Sequence, residues 1–221
     1  MLRFTFAGFP VAVQPWFFVM AWLIGRGIPD LPGQLLWIGV VFVGVLLHEL
    51  GHAVAARRLG FAPEITLHMM GGLTSWRPTR QVSPWQEIGI TFAGPAVGIA
   101  IGIAALVAQH GGLAAPATVT GRVLDFAVWV NLGWGVLNLL PVLPLDGGSI
   151  VATAATALLG RRGRIGARVL SVVLTVALAA WGALSLDLFL GLLGVWLTAF
   201  NWRALRHELS PPAPPPPPPE A

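Results

Sequence analysis

Apolar residues dominate six stretches of the chain, at about 11–28, 35–56, 88–108, 123–141, 169–184 and 188–202. Each is close to the roughly 20 residues that a helix needs to cross the ~30 Å hydrocarbon core of a bilayer, so the pattern predicts about six transmembrane helices. A seventh run, Gly147 to Leu159, is shorter. At about 1.5 Å per residue it reaches only about 20 Å, and it reads as a continuation of the fourth span after a break. Between the second and third runs the pattern changes. Glu64 to Trp76 carries the β-favouring Ile65-Thr66-Leu67 and Leu73-Thr74 around Met69, Met70, Gly71 and Gly72, which predicts a short strand or hairpin at the cytoplasmic membrane edge. The expected fold class is an all-α polytopic membrane protein with this small β element. One domain covers residues 1–208, with its core at roughly 5–150, and residues 209–221 form a disordered tail whose Pro211 to Pro219 stretch favours polyproline II.

Composition sharpens this picture. Charged residues make up 10% of the 221, hydrophobic ones 56%, and mean hydropathy is +0.77. A soluble domain carries about 25% charged residues, so a soluble globular enzyme is excluded. There is no cysteine, which removes disulfides, thiolate metal sites and thiol nucleophiles. The net charge of +4 comes from arginine alone, and the arginines sit at the ends of apolar runs without a basic, aromatic-interleaved stripe, so nucleic acid is not an expected partner. With six spans, eleven arginines fall on one side and two, Arg26 and Arg122, on the other. That bias places both termini in the cytoplasm of a multi-pass cell-membrane protein. The first run follows a single arginine, is interrupted by Pro10, Gln14 and Pro15, and lacks a small-residue cleavage signature, so a removed signal peptide is not expected.

The candidate chemistry lies in the second run, where His48-Glu49-Leu50-Gly51-His52 forms an H-E-x-x-H pattern. On a helix, positions four apart stack one turn above each other, so both imidazoles can reach one zinc ion with Glu49 beside it. Three ionisable groups within five residues of a membrane helix are costly unless they pair or bind metal. Accidental spacing, or two histidines hydrogen-bonded inside the bundle, is the plainer alternative. A hydrolytic zinc site takes three protein ligands. Of the acidic residues, Asp30, Asp125 and Asp187 lie near outer span ends, Glu64 and Glu87 flank a cytoplasmic loop, and Glu208 and Glu220 are terminal. Asp146 alone lies in an apolar segment at compatible depth, beside Pro141, Pro144 and Gly147-Gly148, which break the helix. A proline kink with Asp146 capping the following helix accounts for the same residues structurally.

Together, His48-Glu49-Leu50-Gly51-His52 and Asn138-Leu139-Leu140-Pro141-Val142-Leu143-Pro144-Leu145-Asp146-Gly147-Gly148 resemble the site-2 proteases, intramembrane zinc metalloproteases. Gly71-Gly72, Glu87 and Ala93-Gly94-Pro95 are further matches, and the resemblance covers roughly residues 5 to 150. It implies His48, His52 and Asp146 as ligands of one Zn2+ and Glu49 as the catalytic general base. Asn138 would hold substrate or the developing oxyanion, and Gly71 and Gly72 are the other candidate substrate-binding residues. The implied reaction is hydrolysis of peptide bonds in membrane-embedded proteins, single-span ones above all, by zinc-activated water. An exposed strand over 65–76 would add a substrate segment through backbone hydrogen bonds. The loops are too short for an inserted PDZ domain and 203–221 too short for a CBS domain, so the chain looks most like the compact bacterial and archaeal branch. A metal or solute transporter, or a catalytically silent membrane scaffold, are the rival readings.

Remaining features point to structure. His68 reads as a solvent-facing strand residue, with a substrate contact as the alternative, and His110 and His207 as residues of span ends. Gly94, Gly98 and Gly102 form a small-residue ridge suited to close helix packing. Most of the ten tryptophans lie near span ends as interfacial anchors.

Overall fold

The computed structural model describes residues 1–77, 80–115 and 118–210; the proline-rich tail expected at 209–221 lies almost wholly outside the described residues. The chain opens with two strands, β1 (Leu2–Phe6) and β2 (Phe9–Val13). Ala7 and Gly8, both at positive φ (51° and 79°), join them in the two-residue turn whose twist suits a hairpin. Arg57 holds this turn. Its guanidinium donates to the carbonyls of Ala7 and Gly8 at 3.2 and 3.4 Å and lies 3.6 Å above the Phe9 ring centroid.

β2 pairs in parallel with β3 (Glu64–His68), aligning Val11 with Ile65 and Val13 with Leu67, and β3 pairs antiparallel with β4 (Gly71–Ser75). The sheet order is β1-β2-β3-β4. Phe9, Val11, Val13, Ile65 and Leu67 point to one face, as period-2 geometry requires, and pack on Phe17, Val45, Leu46 and Ala53. The sheet therefore rests on the half of a helix that carries His48, Glu49 and His52.

The helices are α1 (Pro15–Ile24), α2 (Leu31–Arg58), α3 (Pro84–His110), α4 (Val119–Ala127), α5 (Trp134–Asn138), α6 (Asp146–Leu159), α7 (Arg161–Leu184) and α8 (Leu188–Leu209), with a π segment, Val128–Gly133, joining α4 to α5. Side chains cap several starts. Asp30 accepts from the Gly33 N–H at 2.8 Å, and Ser83 with Gln86 forms a reciprocal capping box. Asp30 also takes a two-pronged ion pair from Arg122 at 3.1 and 2.8 Å, tying the start of α2 to α4. The Arg122 side chain, with the Gly33 amide, holds the Asp30 carboxyl below its ordinary range.

Several expectations need correction. The protein is mainly helical, but the β element is a four-stranded sheet, because the hairpin expected near 64–76 recruits a second one from the N-terminus. The run expected as a span over 11–28 begins as strand β2, and α1 has ten residues, reaching about 15 Å. Among the described helices, α2, α3 and α7 are long and apolar enough to cross a membrane. The run after Asp146 is a helix of its own. Gly160, at φ 59° and ψ −137°, separates it from α7, whose first two turns contain the arginines at 161–168, ahead of the run read at 169–184.

The glycine ridge brings backbones together. A Cβ on Gly102 would meet the Leu132 amide nitrogen at 2.6 Å, and one on Gly51 would meet the Ala93 carbonyl at 2.5 Å. Only hydrogen at these positions lets α2, α3 and the π segment approach this closely.

Candidate metal centre

α2 presents His48, Glu49 and His52, all buried, toward the first turn of α6. His48 Nε2 lies 3.1 Å from Asp146 Oδ2 and 3.2 Å from His52 Nε2, and the third side of the triangle, His52 Nε2 to Asp146 Oδ2, is 3.5 Å. The Ile90 carbonyl on α3 accepts from His52 Nδ1 at 2.8 Å. A carbonyl can only accept, so this contact places the proton on Nδ1 and leaves the Nε2 lone pair facing Asp146. Three lone-pair atoms packed so tightly repel unless a proton or a cation lies among them. Zinc with bonds of about 2.0–2.1 Å in a tetrahedron sets its ligand atoms about 3.3 Å apart. The three observed separations bracket that value, and the donor set, two imidazoles and a carboxylate, is one that zinc accepts.

Asp146 reaches this point because the chain stops being helical between α5 and α6. Pro141 and Pro144 lack the N–H that a continued helix needs. The loop then folds back on the first turn of α6, where a Cβ on Gly147 would fall 2.1 Å from the Leu139 carbonyl and one on Gly148 2.3 Å from the Val142 carbonyl carbon. Both positions tolerate hydrogen only.

The model for peptidase family M50 matches residues 36–116 and 107–181, the stretches that hold both motifs. The chain belongs to peptidase family M50. Rip3 of Mycobacterium tuberculosis, named as a zinc metalloprotease, is 36% identical to this M50 chain over 211 residues, covering 91% of the chain and 48% of Rip3. A Synechocystis protein similarly named is 31% identical over 172 residues, covering 71% of the chain and 44% of that protein. The chain thus spans about half the length of the curated relatives it matches. The solved structure of a site-2 protease from Methanocaldococcus jannaschii shares the fold, with a TM-score of 0.64 at 23% identity, covering 91% of this chain and 94% of that one.

Two side chains of this M50 centre were not legible as site residues. Thr74, buried on β4, donates its hydroxyl proton to Glu49, with its oxygen 2.8 Å from Oε2 and 3.0 Å from the Glu49 carbonyl. Asn131, buried in the π segment, donates to the Ala127 carbonyl at 3.0 Å and lines the same cavity as the two histidines. An amide in an apolar span was the available signal for Asn131. Thr74 had none, since threonine in a strand is ordinary.

The cavity has a volume of about 370 Å³, and Asn138, Gly71 and Gly72 line it together with Glu49 and Asp146. His68, read as solvent-facing with a substrate contact as the alternative, also lines it, and its Nδ1 accepts from the Met70 N–H at 3.2 Å. His110 sits in the last turn of α3, bonded to the Leu106 carbonyl, and Glu208 pairs with Arg164 and Arg168, so neither joins the centre. Gly71, at φ 123°, adopts backbone that side chains rarely accept. Gly72 is different: its constraint is space. A Cβ there would lie 2.3 Å from Glu49 Cγ. Gly72→Ala is therefore expected to displace Glu49 or lift β4. On the scale of a ~1 Å misplacement, peptidase turnover should fall about 10²-fold while zinc content per chain stays unchanged. Unaltered turnover in the alanine variant would show that β4 does not constrain Glu49.

Proposed function

We propose that the chain is an intramembrane zinc endopeptidase of site-2 protease type, acting on other membrane proteins. One observation carries this reading: three donor atoms converge within 3.5 Å of one another, next to a buried carboxylate that stays outside the triangle, in a cavity bordered by an edge strand. His48 and His52 from α2 and Asp146 from α6 would hold the ion. When bound, zinc supplies a Lewis acid that polarises a carbonyl and makes water a nucleophile at neutral pH.

The protein groups do the rest. Glu49 takes the proton of the attacking water and passes it to the leaving nitrogen. Thr74 fixes the Glu49 rotamer through Oε2, and the missing side chain of Gly72 leaves room at Oε1 for this exchange. β4 bonds to β3 along one edge, and its other edge is open among the described residues. A substrate segment drawn out of its helix can add there, exchanging internal hydrogen bonds for those of the sheet. Asn138 lines the same cavity and would hold the substrate or its developing oxyanion.

Charge supports the remaining assignments. The clustering of arginines at span ends supports a reading with both termini in the cytoplasm of a bacterial or archaeal inner membrane, water reaching the centre from that side. The substrates that fit are single-span proteins whose helix can be unwound at the bilayer edge. The test is cleavage of candidate single-span proteins by the purified chain in vesicles, with and without a zinc chelator. Specific cleavage that stops on chelation and returns with added zinc is expected. Cleavage that persists after the metal has been stripped overturns the reading.

A further inference from the structure

The carboxylate ligand opens α6 directly after a segment with little regular structure, so something must hold that segment still. Between the end of α5 and the start of α6 the chain makes only short-range turns, such as Val142 N–H to the Leu140 carbonyl at 2.7 Å and Leu145 N–H to the Val142 carbonyl at 2.8 Å. Leu143, at the centre of this segment, is tied to other helices through both of its backbone groups. Its N–H donates to Ser171 Oγ on α7 at 3.1 Å, and its carbonyl accepts from Asn201 Nδ2 on α8 at 2.7 Å. Leu143 is buried, and Ser171 and Asn201 are fully so.

The amide of Asn201 shows what orients it. Its second N–H goes to the Leu197 carbonyl at 2.9 Å, one turn back on its own helix, while its oxygen is buried with no partner. A buried acceptor left without a donor is a cost that native structures rarely carry. Here both donors are in use, and the orientation is the one that serves the Leu143 carbonyl. Ser171 is arranged to the same end: its own proton goes to the Ala167 carbonyl at 3.0 Å, which leaves its oxygen free to accept from Leu143.

We propose that Ser171 and Asn201 are positioning residues which clamp the backbone of Leu143 through the peptide groups on either side of its Cα and thereby set the depth and direction of the Asp146 carboxylate, three residues on, for metal binding. The inference rests on the reading of His48, His52 and Asp146 as the metal ligands. Asn201 lies beyond the stretch matched by the family model, which ends at residue 181. Through this clamp, α7 and α8 become part of the centre without supplying a ligand.

The fold supplies its own control. Thr175 sits one turn from Ser171, is equally buried, and bonds only to backbone carbonyls of α7, those of Ser171 and Val172, at 2.8 and 3.1 Å. The experiment measures zinc affinity by chelator competition, and the visible spectrum of the cobalt-loaded protein, for the full chain and for Ser171→Ala, Asn201→Leu and Thr175→Val. Changing outer partners of metal ligands costs about 10–100-fold in affinity. Ser171→Ala and Asn201→Leu are expected to lose that much and to alter the cobalt spectrum, and Ser171→Thr, which keeps the hydroxyl, to recover most of it. Thr175→Val should hold metal as the parent does. Parental affinity and spectrum in both clamp variants, or an equal loss in Thr175→Val, overturns the proposal. A parent chain that binds no zinc would instead count against the peptidase reading. Should Asn201→Leu fail to fold, hydrogen exchange on the unsubstituted, metal-free chain decides: residues 139–146 should stay protected, and free exchange there refutes the clamp.

Discussion

Replacing Glu49 by glutamine is expected to lower peptide hydrolysis by about 10²–10⁴-fold, the range that a positioned acid–base group contributes, while the zinc bound per chain stays the same. The two halves of this result have separate structural causes. Glutamine matches glutamate in size, and its amide oxygen can still accept from Thr74, so the β4 contact seen at 2.8 Å persists. The amide cannot take up a proton, and transfer to the leaving nitrogen stops. Glu49 also stays outside the triangle formed by His48, His52 and Asp146, so the proposed ligand set is intact. Elemental analysis beside a cleavage assay separates the two. Turnover within a few-fold of the parent would remove Glu49 from the reaction.

The second large effect is expected at Asp146. On the proposed reading, Asp146→Ala removes one of three ligand atoms and should weaken zinc binding by more than the 10–100-fold that changes in outer partners cost. It should do so without unfolding the chain. An acidic residue in the first turn of a helix contributes about 0.3–1 kcal/mol through the helix dipole, too little to dissolve a fold on its own. Chelator competition together with thermal unfolding of the metal-free protein tests both parts. Unchanged zinc affinity would mean that the ion, if held, is held elsewhere. Collapse of the metal-free chain would show instead that Asp146 is there to cap α6.

Much of the centre was legible because its geometry is local. Four-residue spacing puts two imidazoles on one face of α2 whatever the tertiary context, and two prolines with two glycines mark a break wherever they fall. Asp146 could be named because so few acids lie inside apolar segments. The N-terminal strands were hidden for the opposite reason. Phe9, Val11 and Val13 alternate with Pro10 and Ala12, which are themselves apolar, so the period of two is drowned and the stretch passes for the start of a span. Its partner, β3, lies some fifty residues away, and no local signal announces a parallel pairing. Ser171 and Asn201 were visible only as stray polar residues in apolar helices. What they bind is the backbone N–H and carbonyl of one residue, and backbone groups have no identity in the sequence.

The contact between Thr74 and Glu49 joins the proposed proton carrier to a pleated surface, and pleats repeat every two residues. A polypeptide laid along the open edge of β4 can slide by one position only by turning every side chain over. Bond selection would then follow parity: preferences at alternate positions around the cut, indifference between them, and a second, weaker cut two residues from the first.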